Sequence, residues 1–167
     1  MNELSSIQFL NHSGIHRLKA TQELPITIEE AWEFFAAPAN LSKITPPHME
    51  FKITSGTPVT MYPGQIITYK VAPFPGIRTN WVTEITGVLF QKYFIDEQRY
   101  GPYSMWHHEH YFTRTGRGVL MTDMVSYKIP GGPAGRLLMG RLIRKQLKKI
   151  FAYRSKVLLD MFGRVER

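Results

Sequence analysis

From Gly14 to Leu24 polar and apolar residues alternate in the manner of a half-buried strand, which Pro25 ends. The thirteen residues before it are read as a flexible or edge segment. ITIEEAWEFF then changes the period. Thr27 stands as an N-cap with Glu30 three positions on, a capping box, and Ala31, Trp32 and Phe35 share one face of the short helix it opens. A second short helix is expected after Asn40 and must stop by Pro46 and Pro47. From Met49 the pattern returns to period two, with turn residues at SGTPVTMYPG, APFPG, ITG, YGP and TGRG. Such spacing predicts five or six strands joined as an antiparallel meander. Val119–Ile129 runs into PGGP, where Pro133 suits a first helical turn. Beyond it Leu138, Leu142, Leu147, Ile150 or Phe151, Val157 or Leu158, and Met161 or Phe162 recur every three to four residues, predicting a helix over 133–163. The expected fold is therefore α+β, one domain over 1–167: a curved antiparallel sheet of six to seven strands, two short helices and a long C-terminal helix. A sheet curved around one helix leaves a gap between them, and that gap is the expected cavity.

Registers follow from the turns. If Gly116-Arg117 forms a two-residue turn, Thr115 faces Gly118, His110 faces Asp123, Phe112 faces Met121, His108 faces Val125 and Trp106 faces Tyr127. Trp106, His108, His110 and Phe112 then share one face of their strand, and Met105, His107, Glu109 and Tyr111 share the other. The tryptophan face carries the larger aromatic content and is assigned inward. A turn near Thr86 to Leu89 pairs Trp81 with Phe94 and Thr79 with Asp96. Continued through the YGP corner, it sets Asp96 against Trp106 and Phe94 against His108.

The stretch WHHEHYF, residues 106–112, concentrates the polar chemistry. His108 and His110 on one face, with Asp123 across the ladder, would suit two or three ligands of one ion, but no fourth ligand accompanies them and no metal site is assigned. An imidazole oriented by Asp123 would suit proton transfer, so His110 and Asp123 are the catalytic candidates. No serine or cysteine nucleophile stands beside them. The preferred reading makes these groups the polar tips of a pocket, with Asp123 satisfying a buried histidine.

Composition narrows this further. At 167 residues with 43% hydrophobic and 13% aromatic content the chain can build a sizeable core. Zero cysteines exclude disulfides and thiolate sites. With no apolar run long enough to span a bilayer and no basic, apolar leader, a cytoplasmic location is expected. The net charge of +8 lies in residues 133–167, where ten basic side chains stand against Asp160 and Glu166. This is read as the solvated face of the final helix. Nucleic acid is not an expected partner, and a membrane enters only as a transient surface contact through that helix.

The order of elements, together with LPITIEEAWEFFAAPANLSKITPP, Trp81 followed by Thr83-Glu84-Ile85, FIDEQRYGPYSMWHHEHYF and GVLMTDMVSYKIPGG, resembles the START-like or SRPBCC superfamily with its helix-grip fold, from about His16 to Phe162. The two last segments are similar to the F-x-D-x-Q-x-x-G-P-x-x-x-W-x-H-x-H-x-F and T-D-x-V-x-Y pattern of bacterial cyclase/dehydrase-like members, some of them joined to sugar-epimerase-like domains. The resemblance supports Phe94, Asp96, Gln98, Trp106, His108, His110, Phe112, Asp123 and Tyr127 as site positions. It implies a ligand cavity rather than one activity, because the superfamily holds carriers, receptors and polyketide cyclases.

The expected function is non-catalytic binding, as carrier or sensor, of a hydrophobic or amphipathic small molecule, without cofactor. The alternative is a cyclase/dehydrase-type enzyme, a lyase or isomerase, using His110 oriented by Asp123. Apolar contact is assigned to Tyr69, Trp81, Phe94, Trp106, Phe112, Met121 and Tyr127 on the sheet and to Leu147 and Phe151 on the helix. Orientation is assigned to Asp96, His108, His110 and Asp123. Val59, Met61, Tyr62 and Phe74 in the loops either pack over the sheet edge or gate the cavity mouth.

Overall fold

A computed structural model describes residues 5–56, 60–74 and 76–165; Val59 lies outside the described residues. Eight strands form one antiparallel sheet: β1 (Ser5–His12), β2 (Ile15–Leu24), β3 (Lys52–Ile53), β4 (Ile66–Phe74), β5 (Ile77–Leu89), β6 (Tyr93–Tyr100), β7 (Met105–Thr115) and β8 (Gly118–Lys128), in the order β1-β2-β8-β7-β6-β5-β4-β3. The count exceeds the expected six to seven at both edges. Residues 5–12 are a full edge strand, turned onto β2 by Ser13 and Gly14, both at positive φ as a type I′ turn requires. At the opposite edge β3 is a two-residue strand.

Helix α1 (Ile28–Phe35) starts as the sequence dictates. The Glu30 amide donates to Thr27 Oγ1 at 3.2 Å, and the Thr27 amide donates to Glu30 Oε2 at 2.8 Å. The second short helix is a 3-10 segment, Pro38–Ile44, beginning three residues earlier than expected, and another single turn follows at Pro47–Met49.

The β7–β8 ladder has the expected register throughout, from Thr115 opposite Gly118 to Trp106 opposite Tyr127. The β5–β6 register does not. β5 continues to Leu89, so Trp81 is not paired with Phe94 nor Thr79 with Asp96; Phe94 faces Val88 and Asp96 faces Ile85. The cause is the turn, which falls after Leu89 with Gln91 at φ 57° rather than at Thr86 to Leu89; a bulge between Ile85 and Gly87 inserts one further residue, and Val88 packs against the core. Between β6 and β7, Asp96 faces His108 and Phe94 faces His110, two residues from the expected pairing. An even slip preserves the faces, so the inward assignment of His108, His110 and Phe112 stands, all three being buried.

Helix α2 (Gly132–Phe162) lies across the concave face and buries Ile143, Leu147, Phe151, Arg154 and Leu158. Its first turns differ from expectation. Leu138 and Leu142, assigned to the core-facing stripe, are 78% and 47% exposed, and Leu137 is 85% exposed. The glycine side of the helix faces inward instead. A Cβ on Gly135 would lie 1.8 Å from the Pro130 carbonyl oxygen, and one on Gly140 would touch Ile129, so this close approach rotates the leucines outward. No helix among the described residues is long and apolar enough to cross a membrane.

Candidate functional site

Between the sheet and α2 lies a cavity of about 180 Å³. β4 supplies Ile67, Tyr69 and Val71 to its wall, β5 supplies Trp81, Thr83 and Ile85, β6 supplies Phe94 and Asp96, and β7 supplies Trp106, His108 and His110. The alternation of each strand delivers these residues to one face. Helix α2 closes the cavity with Gln146, Leu147, Ile150, Phe151 and Arg154, and the 3-10 segment adds Pro38, Leu41 and Ile44.

Nine of the thirteen residues assigned from sequence therefore line it: Tyr69, Trp81, Phe94, Asp96, Trp106, His108, His110, Leu147 and Phe151. Four do not. Phe112 and Met121 are buried where α1 covers the end of the sheet, with Phe112 against Trp32 and Phe35. Tyr127 is taken up by packing with Tyr103, Trp106 and the α2 core. Asp123 stands behind the two histidines. Of the loop residues, Met61 is buried in the wall, Phe74 lines it and Tyr62 is exposed.

Arg154 was counted with the solvated basic face, and this is overturned: it is 9% exposed and aimed at Asp123. The signal was present in its position, since Leu147, Phe151, Arg154 and Leu158 follow one another at helical spacing and place a charge inside the apolar stripe. Thr83 and Tyr103 were also missed; the first shares a face with Trp81 and was legible, whereas Tyr103 sits in an irregular corner after β6.

The polar end is one connected network. His110 Nε2 lies 2.9 Å from Asp96 Oδ2, and His108 Nε2 donates to Asp123 Oδ1 at 3.1 Å. The remaining ring nitrogens also meet carboxylates: His108 Nδ1 is 3.5 Å from Asp96 Oδ2, and His110 Nδ1 is 2.7 Å from Asp123 Oδ1 without a well-directed hydrogen bond. Arg154 Nη1 reaches Asp123 Oδ2 at 3.4 Å. Burial would raise the Asp123 carboxyl, but the Arg154 charge and the histidine contacts outweigh it and hold the group well below the usual carboxylate range. Burial is likewise overcome at Asp96 by His108 and His110, which lower it. His108 is pushed down by burial, joined by repulsion from His110. His110 moves the other way, its burial outweighed by Asp123 and Asp96. Both nitrogens of His110 face carboxylates, which ties the ring.

The rest of the wall is aromatic. Trp81 stacks on Tyr69 with ring centres 5.8 Å apart and meets Trp106 edge-on at 5.3 Å. The Tyr69 hydroxyl and Thr83 Oγ1 are 2.9 Å apart and share a hydrogen bond. Trp81 Nε1 is buried with no hydrogen-bond partner among the described residues.

No family model matches the chain, and no curated protein matches it. Solved structures do. Protein Ms6760 from Mycobacterium smegmatis superposes with a TM-score of 0.65 at 16% identity, covering 93% of this chain and 98% of that one. Ara h 8.0201 does so at 0.58 and 11% identity, over 88% and 99%. The nucleoside-diphosphate sugar epimerase from Corynebacterium glutamicum gives 0.62 at 20% identity, over 85% of this chain and 28% of that chain. At these identities the likeness is one of fold, a curved antiparallel sheet with a long C-terminal helix.

Proposed function

We propose that the protein is a non-catalytic cytoplasmic carrier or sensor of a small, mainly apolar molecule bearing an oxygen, held between the sheet and α2. The observation that carries this is the buried indole N–H of Trp81, in a mainly apolar wall and without a hydrogen-bond partner among the described residues. A buried donor without a partner costs free energy, which a ligand oxygen would recover. The volume limits the ligand. An apolar cavity of about 150 Å³ accepts one benzene ring, so a cavity of about 180 Å³ suits a substituted single ring. Asp96, His108 and His110 supply the polar end.

Two probes of nearly equal shape test this. p-Cresol is expected to bind more tightly than toluene in titration calorimetry, and Trp81→Phe to reduce p-cresol affinity about tenfold, the worth of one neutral hydrogen bond, with little change for toluene. Equal affinity of both probes for the native chain would remove the oxygen-bearing ligand from the reading.

Helix α2 supports a second, surface reading, in which the first turns contact an anionic membrane during ligand exchange. Leu137, Leu138 and Leu142 are exposed beside Arg136, Arg141 and Lys145. Sedimentation with phosphatidylserine-rich vesicles at low salt is expected, with severalfold loss for Leu138→Ser/Leu142→Ser and release at high salt. Salt-independent sedimentation, or none, would dismiss it.

A further inference from the structure

The geometry points to a divalent first-row metal ion, of the Zn²⁺ or Fe²⁺ kind, bound by Asp96, His108 and His110 at the polar end of the cavity, with an open position toward a ligand oxygen. This goes beyond the carrier reading and stands whether or not the apolar part takes a single aromatic ring.

The distances are those of a coordination face. A tetrahedral ion about 2.0–2.1 Å from its nitrogen and oxygen ligands separates those ligands by roughly 3.3 Å. Asp96 Oδ2 lies 2.9 Å from His110 Nε2 and 3.5 Å from His108 Nδ1, and a ligand atom from each of the three residues falls within 4.8 Å of the others. All three residues line the cavity, so the uncovered side of the ion would face the space where a small molecule fits.

The nitrogens pointing away from this face carry the stronger argument. His108 Nε2 is 3.1 Å and His110 Nδ1 2.7 Å from the same oxygen, Oδ1 of Asp123. Metal-binding histidines commonly hold a carboxylate on the far nitrogen, which fixes the tautomer and aims the lone pair at the ion. Here one carboxylate oxygen lies against both rings, hydrogen-bonded to His108 and in close contact with His110, and the group is held by Arg154 at 3.4 Å. Donor arithmetic agrees. Four ring nitrogens meet two carboxylates, which only accept, yet two neutral imidazoles carry two N–H groups. With both protons toward Asp123, two lone pairs and the Asp96 carboxylate converge on one point, an arrangement that a cation resolves. Charge also balances: a divalent ion and Arg154 against Asp96 and Asp123 leave one positive charge, which an anionic ligand oxygen or hydroxide would neutralise.

The test uses the full chain after chelator treatment, titrated with Zn²⁺ by calorimetry and with Co²⁺ by visible absorption. One equivalent is expected to bind, and the Co²⁺ form to show the intense bands of four- or five-coordination. Asp96→Asn and His108→Gln, each checked for native circular dichroism, are expected to lose at least 100-fold in Zn²⁺ affinity. His107→Gln, on the outer face, should lose nothing. Absence of the Co²⁺ bands in the native chain overturns the inference without any variant, and so does Zn²⁺ binding that Asp96→Asn and His108→Gln leave unchanged. Such a failure leaves the p-cresol and toluene comparison untouched, so the two readings are separable.

Discussion

Arg154→Met is expected to lower the free energy of unfolding by about 3–5 kcal/mol, the usual cost of removing one partner from a buried ion pair. The argument starts from Asp123, 4% exposed and joined to Arg154, itself 9% exposed. Both charges lost their hydration on folding, and neither regains it when the other is removed. Methionine keeps most of the volume of the arginine stem, which packs its guanidinium 5.1 Å from the centre of the Phe151 ring. The loss is therefore chiefly electrostatic, with little cavity formation. Urea unfolding measures it directly. A double variant separates charge from packing: Arg154→Met with Asp123→Asn is expected to be less destabilised than the sum of the two single changes, because no uncompensated buried charge remains. A change below about 1 kcal/mol for Arg154→Met would mean that water reaches Asp123 and that the network is not sealed as its burial implies.

Strict periodicity made the centre of the molecule legible. A two-residue turn at Gly116-Arg117 allows one register, so the inward face of β7 and its partners on β8 followed from alternation alone. What failed were features decided by one residue against its surroundings. The later turn, at Gln91, moves β6 relative to β5 and gives Val88 a place against the core, a choice made by packing and absent from the local pattern. Ser5–His12 is the edge strand that the sequence allows only as one alternative to a flexible segment, because a strand held on one side lacks strict alternation. In α2 the leucine pattern before Ile143 predicted a buried stripe, but Gly135 and Gly140 allow a closer backbone approach, and close approach won.

The candidate site divides in the same way. Residue types and faces were readable, so the aromatic wall and the histidine pair were identified. Asp123 was expected at the cavity surface and instead lies behind the histidines, because Asp96, one strand over, occupies the front. That exchange depends on side-chain depth, which register does not encode. It also changes the chemistry, since the carboxylate open to the cavity is the one on β6.

Leu158→Ala is expected to cost about 3–4 kcal/mol, within the range for emptying a fully buried leucine site. Leu158 is 1% exposed and packs with Leu24 at the end of β2 and Ile44 in the 3-10 segment, with Leu41 beside them. It thus fastens the last turns of α2 to the segment whose Leu41 and Ile44 form part of the cavity wall. Rigid strand termini on one side and a helix on the other limit collapse around the vacated volume, which keeps the penalty in that range. Leu142→Ala supplies the control, the same change on the same helix at a site 47% exposed, and should stay within about 0.5 kcal/mol. Loosening this joint should also speed exchange of p-cresol, observable as line broadening in NMR titration, because the wall that α2 anchors has become easier to displace. Destabilisation without faster exchange would place ligand entry elsewhere on the rim, on the side of Pro73, Phe74 and Gln146 where β4 meets the helix.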